Sequence, residues 1–596
     1  MKINSLILSR RVAFCLLFGL AARQSPAATI TATTNSLAAV QTAVNAAAAG
    51  DTVKIPAGSS TWGAGGTSLS IDKAITLAGA GQDVTNIDIS PTAGSWTSGV
   101  ISISAAATIK GLTLRTPTTG GCGTAFSASG SANGFRITDI KYLGQTTTIN
   151  GYFVYSDAYG LVDNCSVTGG SGENELIFLR GPANSWQTNS TMGGANNFFI
   201  EDCTFGGEGY VTDCNSNSRC VVRFCTITGP IKIDGHGKYS NTPPRGVRHM
   251  EVYNNTWTGD GYWAAMELRG GTGRVFNNTA PNTTAVWLLL NEYYVINDGY
   301  TAANYPVDDQ IGVGKDPKVG GSEPMYLWGN RENGAIWAIS SYPPGMTGVI
   351  NPDRDYYNEV APFNGTSGVG IGTAAQMSAI TPTKANVGFW VTDQGGWNSN
   401  TAGNDGVLYV WNGTAWVLNY TPYTYPHPLR SVSSADTTAP TVPTGLAGSA
   451  ASAAQINLTW NASTDNVGVA GYGIYRNTNL IDTTASPGYS DKGLTAGTTY
   501  AYSVNAYDLS GNVSAKSTAI NVTTLSSTSS SSSSSSSGAS SSSSGSSSSS
   551  SSSGASPAAA ATGGGGGSAS DFLLLSLGAL TAMRLTKRFC AASTQP

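Results

Sequence analysis

Charged side chains are scarce in this sequence, but two short segments concentrate them. Only 11% of the 596 residues are charged. The two segments read IKIDGHGK from Ile231 and AAMELRGG from Ala264. Their charged and imidazole side chains are those of Lys232, Asp234, His236, Lys238, Glu267 and Arg269. A cluster of this kind can bind an acidic group, move a proton and stabilise a developing negative charge.

β-Elimination on a uronic-acid polysaccharide is the reaction that this set of groups fits first. It needs a cation that neutralises the sugar carboxylate, a base that removes the adjacent C–H proton, and a donor for the leaving oxygen. Arg269 suits the first task, because its guanidinium is always charged and can hold a carboxylate through two bonds. His236 or Lys238 could be the base.

Three other interpretations of these residues stay open. The carboxyl groups of Asp213, Asp234 and Glu267 could hydrolyse a glycosidic bond, with one as acid and another as base. An adhesin-like solenoid could bind glycans without turning them over. The charges could also form a solvated face with the cross-strand ion pairs Asp234–Arg269 and Lys232–Glu267.

A repeat between residues 159 and 279 predicts the elements that position these groups. Its segments are YGLVDNCSVTGG from Tyr159, NNFFIEDCTFGG from Asn196, SRCVVRFCTITG from Ser218, VRHMEVYNNTWTG from Val247 and TGRVFNNT from Thr272. Their alignment places five residues in one column, namely Cys165, Cys203, Cys225, Asn255 and Asn278. Short strands that recur at intervals of roughly 20–35 residues, with Asn and Gly at the corners, predict a parallel β-helix.

A second strand precedes several of these segments, and its alignment predicts which side chains are neighbours on the outer surface. The aligned apolar pairs are Ile177/Leu179, Ile231/Ile233 and Met266/Leu268. This alignment predicts one outward column of Phe178, Lys232 and Glu267, and a next column of Arg180, Asp234 and Arg269. The substrate-binding residues predicted for this surface are Arg180, Lys232, Asp234, Arg248, His249 and Glu267.

The N-terminal passage adds a family resemblance. From Thr29 the sequence predicts a short amphipathic helix that ends at Gly50 and covers the first coil, followed by the turn in DTVKIPAG. This arrangement resembles the start of the pectin-lyase-like right-handed β-helix proteins, over about Thr29 to Thr279. The resemblance implies an all-β chain whose first domain is a right-handed parallel β-helix.

A second resemblance concerns the reaction. The segment MELRGGTGRVFNN resembles the rung of the chondroitinase B and alginate lyase family that carries its essential arginine, which implies that role for Arg269. In that family a lysine follows the preceding strand, where this chain has His236-Gly237-Lys238. The family binds calcium through carboxylates before that lysine, and Lys232 takes their place here. Calcium is therefore a possible cofactor without an assigned site, and the metal ligands are unknown.

Polygalacturonases offer a weaker likeness. Their Gly-His-Gly motif is similar to Gly235-His236-Gly237, which follows Asp234. The Asp-Asp pair and the Arg-Ile-Lys motif of that family are missing at suitable positions. The hydrolase interpretation therefore ranks second.

The N-terminus predicts export. Lys2, Arg10 and Arg11 precede an apolar run, and Ser25-Pro26-Ala27 has the small-x-small form of a cleavage site, so residues 1–27 are a predicted signal peptide. In an oxidising compartment, Cys214 and Cys220 are the best disulfide candidate, because they bracket a polar loop. The net charge of −4 gives no basic surface, so nucleic acid is not an expected partner.

The rest of the chain divides by composition. The predicted segments are a β-helix at 28–300, terminal coils with an aromatic-rich C-terminal cap at 301–430, a β-sandwich at 439–524, a serine-rich tether at 525–562 and a Gly-rich, apolar and basic tail at 563–596. The aromatic residues of the cap could instead be sugar-stacking platforms. The sandwich resembles a fibronectin type III module, and the tail resembles the bacterial GlyGly-type sorting signal.

Together these patterns predict a secreted or surface-displayed bacterial enzyme that degrades polysaccharides. The tail's resemblance implies a sorting protease, and the N-terminus implies signal peptidase, as partners during export. The expected substrate is an acidic polysaccharide, the expected reaction is elimination, and the expected state is a monomer.

Overall fold

The structure is a computed structural model that describes residues 27–526 with internal gaps. The gaps are residues 91–98, 117–123, 131, 145–152, 157, 171–173, 182–184, 216, 238–245, 260–263, 281–285, 292–300, 308, 314–320, 343–347, 402, 432–437, 466–468, 485–486 and 509–511. Residues 1–26 and 527–596, which hold the predicted signal peptide, tether and sorting signal, lie outside the described residues. Within the described part, no helix is long and apolar enough to cross a membrane.

The strands of the first domain form three parallel faces around one core. Face 1 contains β4 (Leu69–Ile71), β7 (Ile101–Ile103), β9 (Phe126–Ala128), β11 (Phe153–Ser156), β14 (Asn174–Arg180), β17 (Gly209–Cys214), β20 (Ile231–Gly235), β23 (Ala264–Leu268), β26 (Val286–Asn291) and β30 (Ile339–Tyr342). Face 2 contains β1 (Thr29–Thr31), β2 (Thr52–Lys54), β5 (Thr76–Ala78), β12 (Gly160–Asp163), β15 (Phe198–Glu201), β18 (Arg219–Arg223), β21 (His249–Tyr253), β24 (Thr272–Phe276), β27 (Met325–Trp328) and β31 (Tyr356–Asn358).

Face 3 completes each coil. It contains β3 (Gly58–Trp62), β6 (Thr85–Ile89), β13 (Ser166–Thr168), β16 (Thr204–Gly206), β19 (Thr226–Ile227), β22 (Thr256–Trp257), β25 (Thr279–Ala280) and β28 (Arg331–Glu332), with β29 (Ala335–Ile336) paired antiparallel to β28. The long strands β8 (Thr108–Arg115) and β10 (Phe135–Leu143) run through faces 2 and 3. The chain therefore winds through face 1, face 2 and face 3 in turn, which is a parallel β-helix.

The inward side chains explain why these segments form coils. In face 1, Ile233 pairs with Met266, and Gly235 pairs with Leu268. The side chains of Ile233, Met266 and Leu268 are fully buried. Each large aliphatic side chain removed from water contributes about 1.5–3 kcal/mol, so the stacked coils gain stability from their shared core. The predicted fold class, an all-β chain with a right-handed parallel β-helix followed by a β-sandwich, is confirmed.

The corner between faces 2 and 3 repeats one backbone conformation. The residues at this corner have φ between 51° and 56° on six coils, and they are Asp139, Asn164, Asp202, Phe224, Asn254 and Asn277. This left-handed conformation suits Asn and Asp better than other residues with a side chain. The register places the predicted Cys and Asn column directly after the corner, because Glu201 pairs with Arg223, and Arg223 pairs with Tyr253.

Hydrogen bonds link successive members of this column. The amide of Asn255 donates to Val222 O at 2.9 Å and to Asn278 Oδ1 at 3.0 Å. Asn278 in turn donates to Val252 O and to Asn330 Oδ1. The three cysteines of the column are buried free thiols, as their predicted packing role requires, and Cys225 Sγ approaches Ile200 O at 3.8 Å.

A short helix covers the first coils. Helix α1 (Leu37–Ala46) begins at Ser36, whose side chain accepts a hydrogen bond from Ala39 N, and it buries Val40 and Val44. The predicted end at Gly50 is wrong. The helix ends at Ala46 because Ala47 is extended and Lys73 Nζ binds the carbonyl oxygens of Asn45 and Ala47.

The remaining elements form a cap and a sandwich. The cap sheet contains β32 (Val369–Gly372), β33 (Gly388–Val391), β34 (Val407–Trp411) and β35 (Trp416–Tyr420), and the cap also has helix α2 (Ala374–Ser378). The sandwich contains β36 (Thr444–Ser452), β37 (Gln455–Asn461), β38 (Val469–Arg476), β39 (Asn479–Thr484), β40 (Gly488–Lys492), β41 (Thr499–Asp508) and β42 (Ile520–Thr523). The cap packs against the outer surface of face 2, where its buried aromatic residues include Trp390, Trp397, Tyr420 and Tyr425.

The cysteines Cys214 and Cys220 lie next to each other across the corner between faces 1 and 2. Both are buried thiols, and their Sγ atoms are 2.7 Å apart. Their pairing stays a prediction. We expect exported protein, alkylated under denaturing conditions without reductant, to carry no label on these two residues. The matched control is Cys203, which should be labelled, and labelling of all three cysteines would contradict the pairing.

Candidate active site

The outward side chains of face 1 bring three carboxyl groups into one column. Asp213 of β17 pairs with Asp234 of β20, and Asp234 pairs with Glu267 of β23. Hydrogen bonds extend the ladder beyond the strands, with His236 N donating to Cys214 O and Arg269 N donating to Gly235 O. The next outward column therefore contains His236 and Arg269.

This register corrects the predicted columns, in which Lys232 stood beside Glu267 and Asp234 beside Arg269. The observed partner of Met266 is Ile233 rather than Ile231. A shift by two residues keeps every apolar side chain inward, so the alternation alone could not choose between the two registers. The prediction also lacked strand β17, which lies between the coils of Phe178 and Asp234.

Two cations lie among the three carboxyl groups. Lys232 Nζ donates to Glu267 Oε2 and lies 3.4 Å from Asp234 Oδ1. Arg269 Nη2 donates to Asp234 Oδ2, and Arg269 Nε lies 3.6 Å from Glu267 Oε1. The ion pairs Asp234–Arg269 and Lys232–Glu267, which were predicted for a solvated face, thus form between diagonal neighbours on adjacent strands. They are buried, since the side chains of Lys232 and Asp234 are 1% and 0% exposed.

Two of these carboxyl groups, Asp213 and Asp234, have pKa values shifted in opposite directions. Burial, together with the charges of Glu175 and Asp234, raises the pKa of Asp213 well above its usual value. Burial also disfavours charge on Asp234, but Arg269 and Lys232 outweigh it and lower the pKa of that carboxyl. The site therefore favours the neutral form of Asp213 beside the charged form of Asp234 on the neighbouring strand, which is the division of roles that acid–base chemistry requires.

The imidazole of His236 is held in one orientation. Its Nδ1 lies 2.8 Å from Gly237 O, which can only accept, so Nδ1 carries the proton and Nε2 has the lone pair. That lone pair faces Arg269 Nη1 at 3.3 Å. Burial and the charge of Arg269 lower the pKa of His236 well below its usual value. A neutral imidazole whose lone pair faces a guanidinium is a weak base.

The other predicted site residues lie away from the carboxyl column or outside the described residues. Lys238 falls in the undescribed segment 238–245. Arg180 is half-buried, with its guanidinium carbon 5.3 Å from the centre of the Phe178 ring. Arg248 and His249 are fully buried against the segment 185–197: Arg248 donates to Ser185 O, and His249 Nε2 lies 2.8 Å from Asn197 Oδ1. The geometry therefore does not support the predicted substrate contacts of Arg248 and His249.

Strand β17 was missing from the sequence prediction, which named Asp213 only for the second-ranked hydrolase interpretation. The segment GYVTDC from Gly209 nevertheless has the alternation of a strand. GYVTDC precedes the repeat segment SRCVVRFC, just as IKIDGHG precedes the repeat segment VRHMEVYNN. This position in the repeat could have identified GYVTDC as a strand.

The carboxyl groups do not fit a calcium ion. Calcium prefers several ionised oxygen ligands, whereas the raised pKa of Asp213 favours its neutral form, and Asp234 and Glu267 already contact Arg269 and Lys232. A divalent cation between them would lie next to two fixed positive charges. Among the described residues, no group of three or more His, Cys, Asp or Glu side chains is arranged to hold a metal.

Comparisons with known proteins concern mainly the C-terminal part. No family model matches the chain. The chain is 53% identical over 89 residues to chitinase Chi52 of Paenibacillus xylanexedens, and 49% identical over 89 residues to exoglucanase B of Cellulomonas fimi. These matches cover 15% of this chain, but only 17% and 8% of the two enzymes. The chain thus spans less than a fifth of the length of these relatives.

Two solved structures are among those that resemble parts of this chain at low TM-scores. A fibronectin type III structure, FN3tt, has 22% identity and covers 15% of this chain and 98% of its own, with a TM-score of 0.13. Rice weevil pectin methyl esterase has 16% identity and covers 51% of this chain and 87% of its own, with a TM-score of 0.30. The matched length of 89 residues is that of the sandwich domain, and this domain is a fibronectin type III-like module.

Proposed function

We propose that this chain is a polysaccharide-degrading enzyme that hydrolyses glycosidic bonds with the carboxyl groups of face 1. The observation that carries the proposal is the column of Asp213, Asp234 and Glu267 on adjacent strands, in which the pKa of Asp213 is raised and that of Asp234 is lowered. Pairs of this kind cleave most glycosides. The relatives of the fibronectin type III-like module, a chitinase and an exoglucanase, support a glycan as the substrate class.

Each group has a defined task in this mechanism. Asp213 is 6% exposed while Asp234 is fully buried, so Asp213 is the carboxyl group that can reach a substrate oxygen. It donates its proton to the leaving oxygen as the glycosidic bond breaks. Glu267, which is 2% exposed, accepts a proton from the attacking water, and the negative charge of Asp234 stabilises the positive charge that develops on the sugar ring. Lys232 and Arg269 hold these carboxylates in place.

Elimination remains the competing reaction. Arg269 is the most accessible cation of the group at 9% exposed, which suits a carboxylate clamp. Its guanidinium, however, already binds Asp234, and the lone pair of its neighbour His236 faces that guanidinium rather than open space. Hydrolysis therefore fits the protonation states that the site favours for Asp213 and Asp234 better than elimination does.

Product analysis separates the candidate functions. Purified protein would be incubated with alginate, pectate, glycosaminoglycans and neutral glycans, and new reducing ends and ultraviolet-absorbing unsaturated uronate would be measured together. We expect reducing ends without the absorbing product. Absorbing product would instead establish the lyase, and retention of a glycan without either product would establish a binding solenoid.

We propose that the protein acts outside the cell. The basic and apolar N-terminus and the Gly-rich, apolar and basic tail support export by signal peptidase and processing by a sorting protease. The expected destination is the cell surface or the medium, where the protein would meet polysaccharides as a monomer. Acidic glycans stay the first substrates to test, because Arg269 is the most accessible charge of the site.

Truncation after Arg430 is expected to leave turnover on a soluble substrate unchanged. The module beyond that point contacts the β-helix through Asn189, which donates to Asp482, and Asn196, which donates to Tyr507. These contacts lie on the segment before face 2 and not on the carboxyl column. Turnover of the truncated chain would be compared with the full chain after circular dichroism has shown the same fold. A large loss would mean that the module contributes to the site.

A further inference from the structure

We propose that the cap carries a second, non-catalytic site that binds a neutral sugar unit of a glycan. A cleft of about 420 Å³ opens at the end of the cap sheet, between the β34–β35 hairpin and two loop segments. Its lining residues are Gln394, Gly395, Gly396, Trp397, Val407, Tyr409, Leu418, Thr421, Pro422 and Thr424. The volume lies within the roughly 300–1,000 Å³ typical of small-ligand sites.

The chemistry of the lining points to an uncharged, hydroxyl-rich ligand. None of these lining residues is charged, and the neighbouring Asp405 carboxylate already accepts hydrogen bonds from Gly396 N and Asn398 N. The polar groups are the Gln394 amide, the Tyr409 hydroxyl and the hydroxyls of Thr421 and Thr424, which can donate and accept hydrogen bonds. A sugar ring presents the same combination of hydroxyl edges and apolar C–H faces.

The apolar part of the cleft is unusually exposed. Leu418 is 52% exposed, although it pairs directly with Tyr409 across the hairpin. A glycine forms the opposite side, and a Cβ added at Gly396 would meet no atom within 4 Å. The side chain of Leu418 and the ring of Tyr409 thus adjoin open space, which is where an apolar sugar face could pack.

The cleft is built on fixed elements. Tyr409 Oη donates to Gln394 Oε1 at 3.0 Å, which orients the amide, and Trp397 Nε1 donates to Gly406 O at 3.1 Å. The carbonyl oxygen of Thr424 accepts a hydrogen bond of 2.8 Å from the buried Arg223 of the β-helix. A preformed site loses less conformational freedom on binding than a mobile one. Because the cap packs on face 2, this site is separate from the carboxyl column of face 1.

The experiment compares variants on neighbouring residues of one strand. Leu418→Arg would fill the cleft, whereas Val417→Arg changes a similarly exposed residue, 47% exposed, whose side chain points to the other side of the strand. Gln394→Ala removes the oriented amide. Binding of neutral glucose, mannose, xylose and N-acetylglucosamine oligosaccharides, and of oligouronates as a charged control, would be measured by calorimetry on the full chain.

We expect at least one neutral oligosaccharide to bind, and its affinity to fall about tenfold or more in Leu418→Arg and Gln394→Ala but not in Val417→Arg. Product formation at the face 1 site should be unchanged on short soluble substrates in all three variants, which separates this proposal from the proposed hydrolysis. Absence of neutral binding, preference for the oligouronates, or equal losses in Leu418→Arg and Val417→Arg would overturn it.

Discussion

Asp213→Asn should lower turnover by about 10²–10⁴-fold, the usual contribution of a positioned general acid. The amide has almost the shape of the protonated carboxyl group, but it has no proton to give to the leaving oxygen. Because burial and nearby negative charges raise the pKa of Asp213 and favour its neutral form, the substitution should leave the free energy of unfolding nearly unchanged. Turnover on the best substrate of the panel and urea unfolding of the same samples would test both statements.

The pH profile provides the control for this prediction. Activity that needs the protonated Asp213 should fall as the pH rises through the raised pKa of this group. Glu175→Gln removes a negative charge that helps to raise that pKa, so it should move the alkaline limb of the profile to lower pH. Full activity of Asp213→Asn together with loss of activity in His236→Ala would contradict the hydrolytic mechanism and favour elimination.

Arg269→Ala is a less direct test of the reaction than it would be if Arg269 lay on a solvated face. On a solvated face, loss of this ion pair would cost at most about 1 kcal/mol. The structure buries the pair, however, and removal of the guanidinium leaves Asp234 charged and without its main partner. Breaking a buried pair in this way costs on the order of 3–5 kcal/mol. Lost turnover in Arg269→Ala therefore reports on folding as well as on chemistry.

Arg223→Met should destabilise the protein by on the order of 3–5 kcal/mol. Arg223 and its partner Glu201 are both fully buried on face 2, with Arg223 Nη2 2.7 Å from Glu201 Oε2. The same guanidinium donates to Tyr423 O at 2.6 Å and to Thr424 O, so it also fastens the cap. Its loss leaves a buried carboxylate and two backbone carbonyls without these partners. Urea unfolding followed by circular dichroism would measure the change.

The control is an ion pair of the same type at the surface of the same domain. Arg115 binds Asp88 at 2.7 Å, but these side chains are 31% and 43% exposed. Arg115→Met should therefore change stability by at most about 1 kcal/mol. Adding Glu201→Gln to Arg223→Met should recover part of the loss, because it removes a buried charge that keeps only Arg430 Nη1 and His427 N as partners among the described residues. Equal effects of Arg223→Met and Arg115→Met would show that burial does not set the strength of the Arg223 pair.

The fold could be predicted because its corners repeat. In five of the six corners the left-handed residue is followed by Cys or Asn, and this repetition made Cys165, Cys203, Cys225 and Asn255 visible at one position. The pairing of face 1 could not be predicted in the same way. Ile231 and Ile233 are equally apolar, and both registers bury them, so only the neighbouring coils decide which carboxylate adjoins Glu267.

The burial of the site residues and its effect on their pKa values could not be predicted from the sequence either. The sequence shows that Lys232, Asp234 and Arg269 occur close together. Whether such charges interact weakly at a surface or strongly in a core depends on their burial. Likewise, the raised pKa of Asp213 depends on Glu175, a residue of another coil, and on the removal of water.

Along the axis of the β-helix, the residues that follow the corner change from Cys to Asn. We expect this change to make the two halves of the β-helix differ in their resistance to a pulling force. In the first half, the thiol side chains of Cys165 and Cys203 contact the preceding coils at 3.7 Å, at Ile137 O and Val162 O. In the second half, Asn278 and Asn330 bond across coils at 2.8–2.9 Å. Under a pulling force along the axis, such as a glycan chain or a tethered cell could exert, the thiol half should yield first. The amide half, which carries Glu267 and Arg269, would keep its register longer.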